Sequence, residues 1–240
     1  MEKLITELGR LYLPAGVVTD AVWNAHLHGA APLVLAGPDG AVRAAALAFP
    51  VLRDQEEGRH WSRLCEVANE LQTRLGLPAP AVSVSGDNGY CLWLSLEQPM
   101  PAAEVGRLLA LLHAAVMPDL PAPGHAAPLP PCLHPASGKW SAFIHPGMGA
   151  SFADGSGLEM APPLAGQVAF LEGLHSITPD QVAHLLQQLQ PAPAASAPPP
   201  QQRPAAAPGA PGLLLKDASL EDIVAYLHGK NIEPTFRFLK

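Results

Sequence analysis

The run Val82-Ser83-Val84-Ser85-Gly86-Asp87-Asn88-Gly89-Tyr90-Cys91-Leu92-Trp93-Leu94 decides how this chain folds. Apolar, β-branched and aromatic residues flank Asp87-Asn88-Gly89, residue types that tolerate positive φ and close a tight turn. The pattern predicts a β-hairpin, residues 81–85 against residues 90–96. Side chains alternate along a strand, so Tyr90 and Trp93 fall on opposite faces and at most one of them looks into any groove. Trp93 is assigned to the core.

Working outward, Trp61, Leu64, Cys65, Ala68, Leu71 and Leu75 keep helical spacing, and Gly76 and Pro78 stop that helix. Before it, residues 32–36 and 41–49 read as a second hairpin around Gly37-Pro38-Asp39-Gly40. Leu4, Ile5, Leu8 and Tyr12 mark a first helix, and Thr19 N-caps a second that carries Val22, Trp23, His26 and Leu27. After the deciding run, Val105, Leu108, Leu109 and Leu112 mark a helix beyond Pro101, and residues 118–163 read as loop-rich. Thr178-Pro179-Asp180-Gln181 is a capping box with proline at the first helical position, opening a helix to about residue 190. His26, His113 and His184 are expected at the surface or at element edges. Hairpins interleaved with helices describe an α+β domain, a mixed or antiparallel sheet with flanking helices, and exclude a doubly wound parallel sheet.

Composition divides the 240 residues into three parts. Residues 1–190 form the α+β domain. Residues 191–212 hold 8 Pro and 8 Ala, a Pro/Ala-rich linker with little to bury and few backbone donors. Residues 213–240 form a short helical tail: Ser219 caps a stripe of Leu220, Ile223, Val224 and Leu227, which must dock on a partner or on the domain because so short a helix is marginal alone. With 48% apolar and 15% charged residues, disorder along the whole length is excluded. The net charge of −7 gives no bulk attraction to phosphate backbones, so nucleic-acid binding needs a local patch, for which Arg53, Arg59 and Arg63 are the candidates. Cys65, Cys91 and Cys132 fit reduced, buried thiols better than a disulfide framework. The charged N-terminus and the lack of a long apolar run point to a cytoplasmic protein and away from a membrane.

The deciding run resembles the second motif of the archaeo-eukaryotic primase superfamily, above all its primase–polymerases. In that family a strand ends in Ser-Gly, a glycine turn follows, and the next strand opens Gly-Tyr-His. Here the corresponding residues are Ser85, Gly86, Gly89, Tyr90 and Cys91. Leu129-Pro130-Pro131-Cys132-Leu133-His134-Pro135 and Ser137-Gly138-Lys139 look like the loop after the family's third motif. The likeness spans roughly residues 34–139. It implies a nucleotide site in which two metals, held by acids at i and i+2 of a strand and by a third acid nearby, clamp the oxygens of phosphoryl transfer.

This chain departs from that pattern at each chemical position. The strand that should carry the paired acids reads Ala44-Ala45-Ala46-Leu47-Ala48-Phe49, the histidine position is Cys91, and Asp119, between prolines, is a poor third acid. No catalytic residue, metal or other cofactor is therefore expected, and the implied function is a degenerate, non-catalytic primase-like module. It would bind single-stranded DNA, or a replication or repair protein through its tail, in replication, repair or a mobile element. One enzymatic alternative keeps magnesium or manganese: Asp54 and Glu56 have the i, i+2 spacing and serve only if the strand runs on past Pro50. The other alternative is a regulatory protein-interaction domain unrelated to nucleic acid. Cys132, His134 and His145, with His125, lack the paired short spacings of a zinc site. Trp93, Trp140, Phe143 and Tyr90 are the aromatics available to stack on bases.

Overall fold

A computed structural model describes residues 1–14, 18–52, 58–120, 128–152 and 157–189. All of them belong to the first of two units into which the chain divides, Met1–Ala192. The linker and the tail stripe of Leu220, Ile223, Val224 and Leu227 lie outside the described residues.

The fold is α+β. Helices α1 (Glu2–Leu11) and α2 (Asp20–Leu27) precede strand β1 (Ala41–Phe49), and α3 (Arg59–Thr73) leads to the hairpin of β2 (Ala81–Val84) and β3 (Tyr90–Pro101). Then follow α4 (Ala102–Val116), the short strands β4 (Cys132–Leu133) and β5 (Trp140–Phe143), a 3₁₀ turn (Pro146–Phe152), α5 (Leu164–Glu172) and α6 (Pro179–Leu189). The five strands form one antiparallel sheet in the order β1-β3-β2-β5-β4.

The predicted hairpin is present, with Val84 opposite Tyr90 and Ser83 opposite Cys91. Its second strand runs on to Pro101, longer than the alternating pattern implied, because β1 pairs along it from Phe49↔Tyr90 to Ala41↔Pro101. The other predicted hairpin is not formed. Residues 32–36 pair with β1 in strand fashion only at the isolated bridge Ala36↔Val42. The Gly37–Gly40 turn closes as expected, by Gly40 N donating to Gly37 O at 2.9 Å. The ladder of β1 is instead taken by β3, whose long buried run offers far more apolar contact than residues 32–36.

β3 is the middle of the molecule, and Tyr90–Leu96 is buried on both faces. On one face Leu47, Phe49, Val82, Val84, Leu92 and Leu94 pack against Leu64, Val67 and Leu71 of α3, Leu108 and Leu112 of α4, and Leu185 of α6. On the other, Ala81, Cys91, Trp93 and Phe143 meet Leu4, Leu8 and Leu11 of α1, Trp23 of α2 and Leu171 of α5. Each fully buried leucine contributes about 1.5–3 kcal/mol of transfer free energy. Trp93 lies in the second cluster, and its indole Nε1 donates to Ser83 Oγ at 2.9 Å.

Local signals behave as their chemistry demands. Thr19 Oγ1 accepts from Val22 N at 3.3 Å. The capping box is reciprocal: Thr178 N donates to Gln181 Oε1 at 3.0 Å, and Gln181 N donates to Thr178 Oγ1 at 3.3 Å. His26 corrects the expectation of a surface histidine. It is 1% exposed, with Nε2 at 2.6 Å from Leu129 O and Nδ1 accepting from Leu33 N at 3.2 Å. His113 is half-buried against Leu120 O, and His184 is exposed. Cys65, Cys91 and Cys132 are free thiols, the last two buried. Among the described residues no helix is long and apolar enough to cross a membrane.

Candidate functional site

The register of β1, β3 and β2 places the motif residues. Ala48 sits opposite Cys91 across β1 and β3, and Cys91 sits opposite Ser83 across β3 and β2. Paired residues share a face, so Ala46, Ala48, Ser83 and Cys91 all project to the α1–α5 side of the sheet. The i, i+2 pair on β1 that the likeness would fill with carboxylates is thus Ala46, half-buried, and Ala48, exposed. Their neighbour at the histidine position is a thiol 3% exposed, whose pKa burial pushes up to about 12. It stays protonated and uncharged at neutral pH, and three methyl or thiol groups hold no divalent cation.

The hairpin turn closes this end of the sheet. Ser85 Oγ accepts from the backbone N–H of Asn88 at 2.9 Å and of Asp87 at 3.2 Å, while Ser85 N donates to Gly89 O at 3.0 Å. Gly86 and Gly89 carry φ of +81° and +102°. At Gly89 a Cβ would lie 2.1 Å from Phe49 O, so only glycine lets the turn meet the end of β1. At Gly86 a Cβ would lie 2.9 Å from Ser141 N of β5 and 3.3 Å from His134 Cβ, so β5 and the segment after β4 both close on the turn.

That segment carries His134. Ser137 Oγ donates to Gly86 O, lies 3.2 Å from His134 Nδ1 and accepts from Lys139 N at 3.2 Å. His134 Nε2 stands 3.9 Å from Asp87 Oδ2. The two stretches that resemble primase motifs, around Ser85 and around Ser137-Gly138-Lys139, therefore meet. Between them is a recess of about 200 Å³. Its walls are Ala48, Cys91, Tyr90 and Pro128, and Ser85, Asp87, Asn88 and His134 complete its lining.

Ser85, Tyr90 and Cys91 thus border one recess, with Gly86 and Gly89 shaping the turn beside it. Asp87, Asn88, Pro128 and His134 were not assigned to it from sequence. The sequence signal for His134 was its place in the Leu129–Pro135 stretch that resembles the loop after the family's third motif. Asp54 and Glu56 lie outside the described residues. β1 ends at Phe49, and Val51 and Leu52 are in no strand.

The remaining candidates disperse. Asp119 takes hydrogen bonds from Arg63 Nη2 at 2.7 Å and Nε at 3.0 Å, and these hold its carboxyl below the usual range. Arg63 also reaches Val116 O and Glu66, so its charge is matched at the α3–α4 end; Arg53 lies outside the described residues. Tyr90, Trp93 and Phe143 are at most 3% exposed, and the Tyr90 hydroxyl is engaged by Gly149 O at 2.8 Å and by Phe152 O. Trp140 alone of the four aromatics is half-buried. Cys132 Sγ lies 3.2 Å from Ser141 Oγ, and among the described residues no group of three or more His, Cys, Asp or Glu side chains is arranged to hold a metal; His125 lies outside them. Searched against protein-family models and against curated proteins, the chain matches none.

Proposed function

We propose that this chain is a catalytically degenerate primase-like domain, kept as a binding module in DNA replication, DNA repair or a mobile element. One observation carries the reading. The strand order and register bring Ala46, Ala48, Ser85 and Cys91 to one end and one face of the sheet, the arrangement the likeness requires of acids, serine and histidine. An accidental likeness in the hairpin alone would not demand that β1 lie beside β3 with alanines in that phase. Without paired carboxylates on β1 nothing there holds the metals that would neutralise a triphosphate, so in this reading the module binds without turnover.

The preferred partner in this reading is single-stranded DNA. Among the described residues Arg43 and Arg63 spend their guanidinium groups on backbone carbonyls and acids, so neither is open to a phosphate. Binding to a labelled oligonucleotide should then be independent of nucleotide and manganese. Its salt slope should correspond to about two ion releases or fewer. A steep slope, or binding that requires manganese and nucleotide, would overturn the reading.

A second reading, a protein partner, is favoured by an apolar groove of about 270 Å³ where Leu96, Pro99 and Met100 of β3 face Val182 and Leu186 of α6. Absence of any oligonucleotide binding would leave this reading in possession.

A further inference from the structure

We propose that the recess between Ala48, Cys91 and His134 takes one neutral ring bearing an amino group, bound without metal and without its phosphates. The choice of nucleobases as the ring rests on the primase-like reading; the rest follows from the lining. At about 200 Å³ the recess is smaller than the roughly 300–1,000 Å³ pockets that take a drug-sized ligand, so it fits one ring system and not a nucleoside triphosphate. Its apolar lining includes a methyl, a buried thiol and a proline. Asp87 is the charged lining residue among those described, and a carboxylate repels phosphate.

The hydrogen-bond inventory then selects the ring. Ser137 Oγ gives its proton to Gly86 O, so the hydrogen between it and His134 Nδ1 belongs to the imidazole. In the neutral ring Nε2 is then an acceptor. Asp87 Oδ2, 3.9 Å from it, is also an acceptor. Two acceptors at that spacing suit a single –NH₂, whose two hydrogens diverge toward both. Ser85 Oγ accepts two backbone N–H groups and keeps its own hydrogen for an acceptor on the ring. Adenine and cytosine present an amino group beside a ring nitrogen, whereas thymine presents a carbonyl that would face two acceptors.

The test is calorimetric titration of the full chain, in chelator, with deoxyadenosine, deoxycytidine, thymidine and the corresponding triphosphates. Deoxyadenosine or deoxycytidine should bind at least tenfold tighter than thymidine and than its own triphosphate. Ala48→Phe, which fills the recess from an exposed position, should abolish that binding at unchanged melting temperature, and Asp87→Asn should weaken it at least fivefold. Tighter binding of a triphosphate, equal binding of thymidine, no saturation by any nucleoside, or full binding by Ala48→Phe would each overturn the inference. Oligonucleotide binding that survives Ala48→Phe would overturn it while leaving the module reading intact.

Discussion

Ala48 on β1 and Cys91 on β3 are direct partners across the antiparallel ladder, at the end of the sheet where the Ser85 turn folds over. Two small uncharged side chains thus stand side by side where the primase likeness calls for a carboxylate and an imidazole.

Restoring the missing groups tests that geometry. The variant combining Ala46→Asp, Ala48→Asp and Cys91→His should bind manganese more tightly than the native chain, because all three positions share a face. Saturating manganese should raise its stability by about 1 kcal/mol or more, seen as a melting-temperature increase larger than the native protein's. No manganese effect would mean that the three positions do not form one patch.

The Arg63–Asp119 pair should be a modest, pH-dependent stabiliser. Arg63 is mostly buried and half-exposed Asp119 is screened, so Arg63→Ala should cost roughly 1–2 kcal/mol in urea unfolding. Arg63→Lys should recover little, since the fork is lost. Asp119 has a lowered folded pKa, so its contribution is complete above the ordinary carboxylate range and fades as pH falls through the folded value. The acid limb of stability against pH should flatten in Arg63→Ala.

His26 should set a second pH dependence. Burial lowers its pKa, and both nitrogens are satisfied only in the neutral ring. The unfolded state therefore binds the proton more readily. Stability is complete above the unfolded value of about 6.5 and declines as pH falls below it, by at most about 1.4 kcal/mol per unit, until the folded pKa is passed. Melting temperature measured from pH 7.5 to 5 should fall less steeply in His26→Gln. An unchanged slope would exclude His26 as its source.

Gly89→Ala should be severe. The new Cβ would meet Phe49 O, a backbone atom that cannot swing aside, at a residue already at positive φ. A cost of roughly 2–4 kcal/mol follows in denaturant unfolding. Gly138→Ala also sits at positive φ, +69°, but meets nothing within 4 Å, so it should cost visibly less.

The elements written in local chemistry were legible: the Asp87-Asn88-Gly89 hairpin, the Thr19 cap and the Thr178–Gln181 box each close through neighbours a few residues apart. What escaped was set at long range. Residues 32–36 carry a hairpin's turn signal, yet β1 joins β3, a choice made by contact between segments some fifty residues apart. Strands β4 and β5, of 2 and 4 residues, are too short to show a period within the loop-rich stretch. Helix α5 hid because Gln167 interrupts its apolar run. The structure explains the glutamine, whose amide clamps Phe143 N at 2.8 Å and Phe143 O at 2.9 Å from a buried position. At the site, the motif residues were legible from the strand and turn pattern. His134 stood in a stretch with a likeness of its own, but its place in the recess was not legible, because the fold of Ser137 onto Gly86 that brings it there links residues some fifty apart.

The most direct test of a retired nucleotidyl-transfer site is primer extension by the purified full chain on a primed template, with magnesium or manganese. The account predicts no product above a protein-free control with either metal. Extension that is lost in Asp54→Ala would contradict it, since the acids beyond Phe49 would then be doing the work that Ala46 and Ala48 cannot.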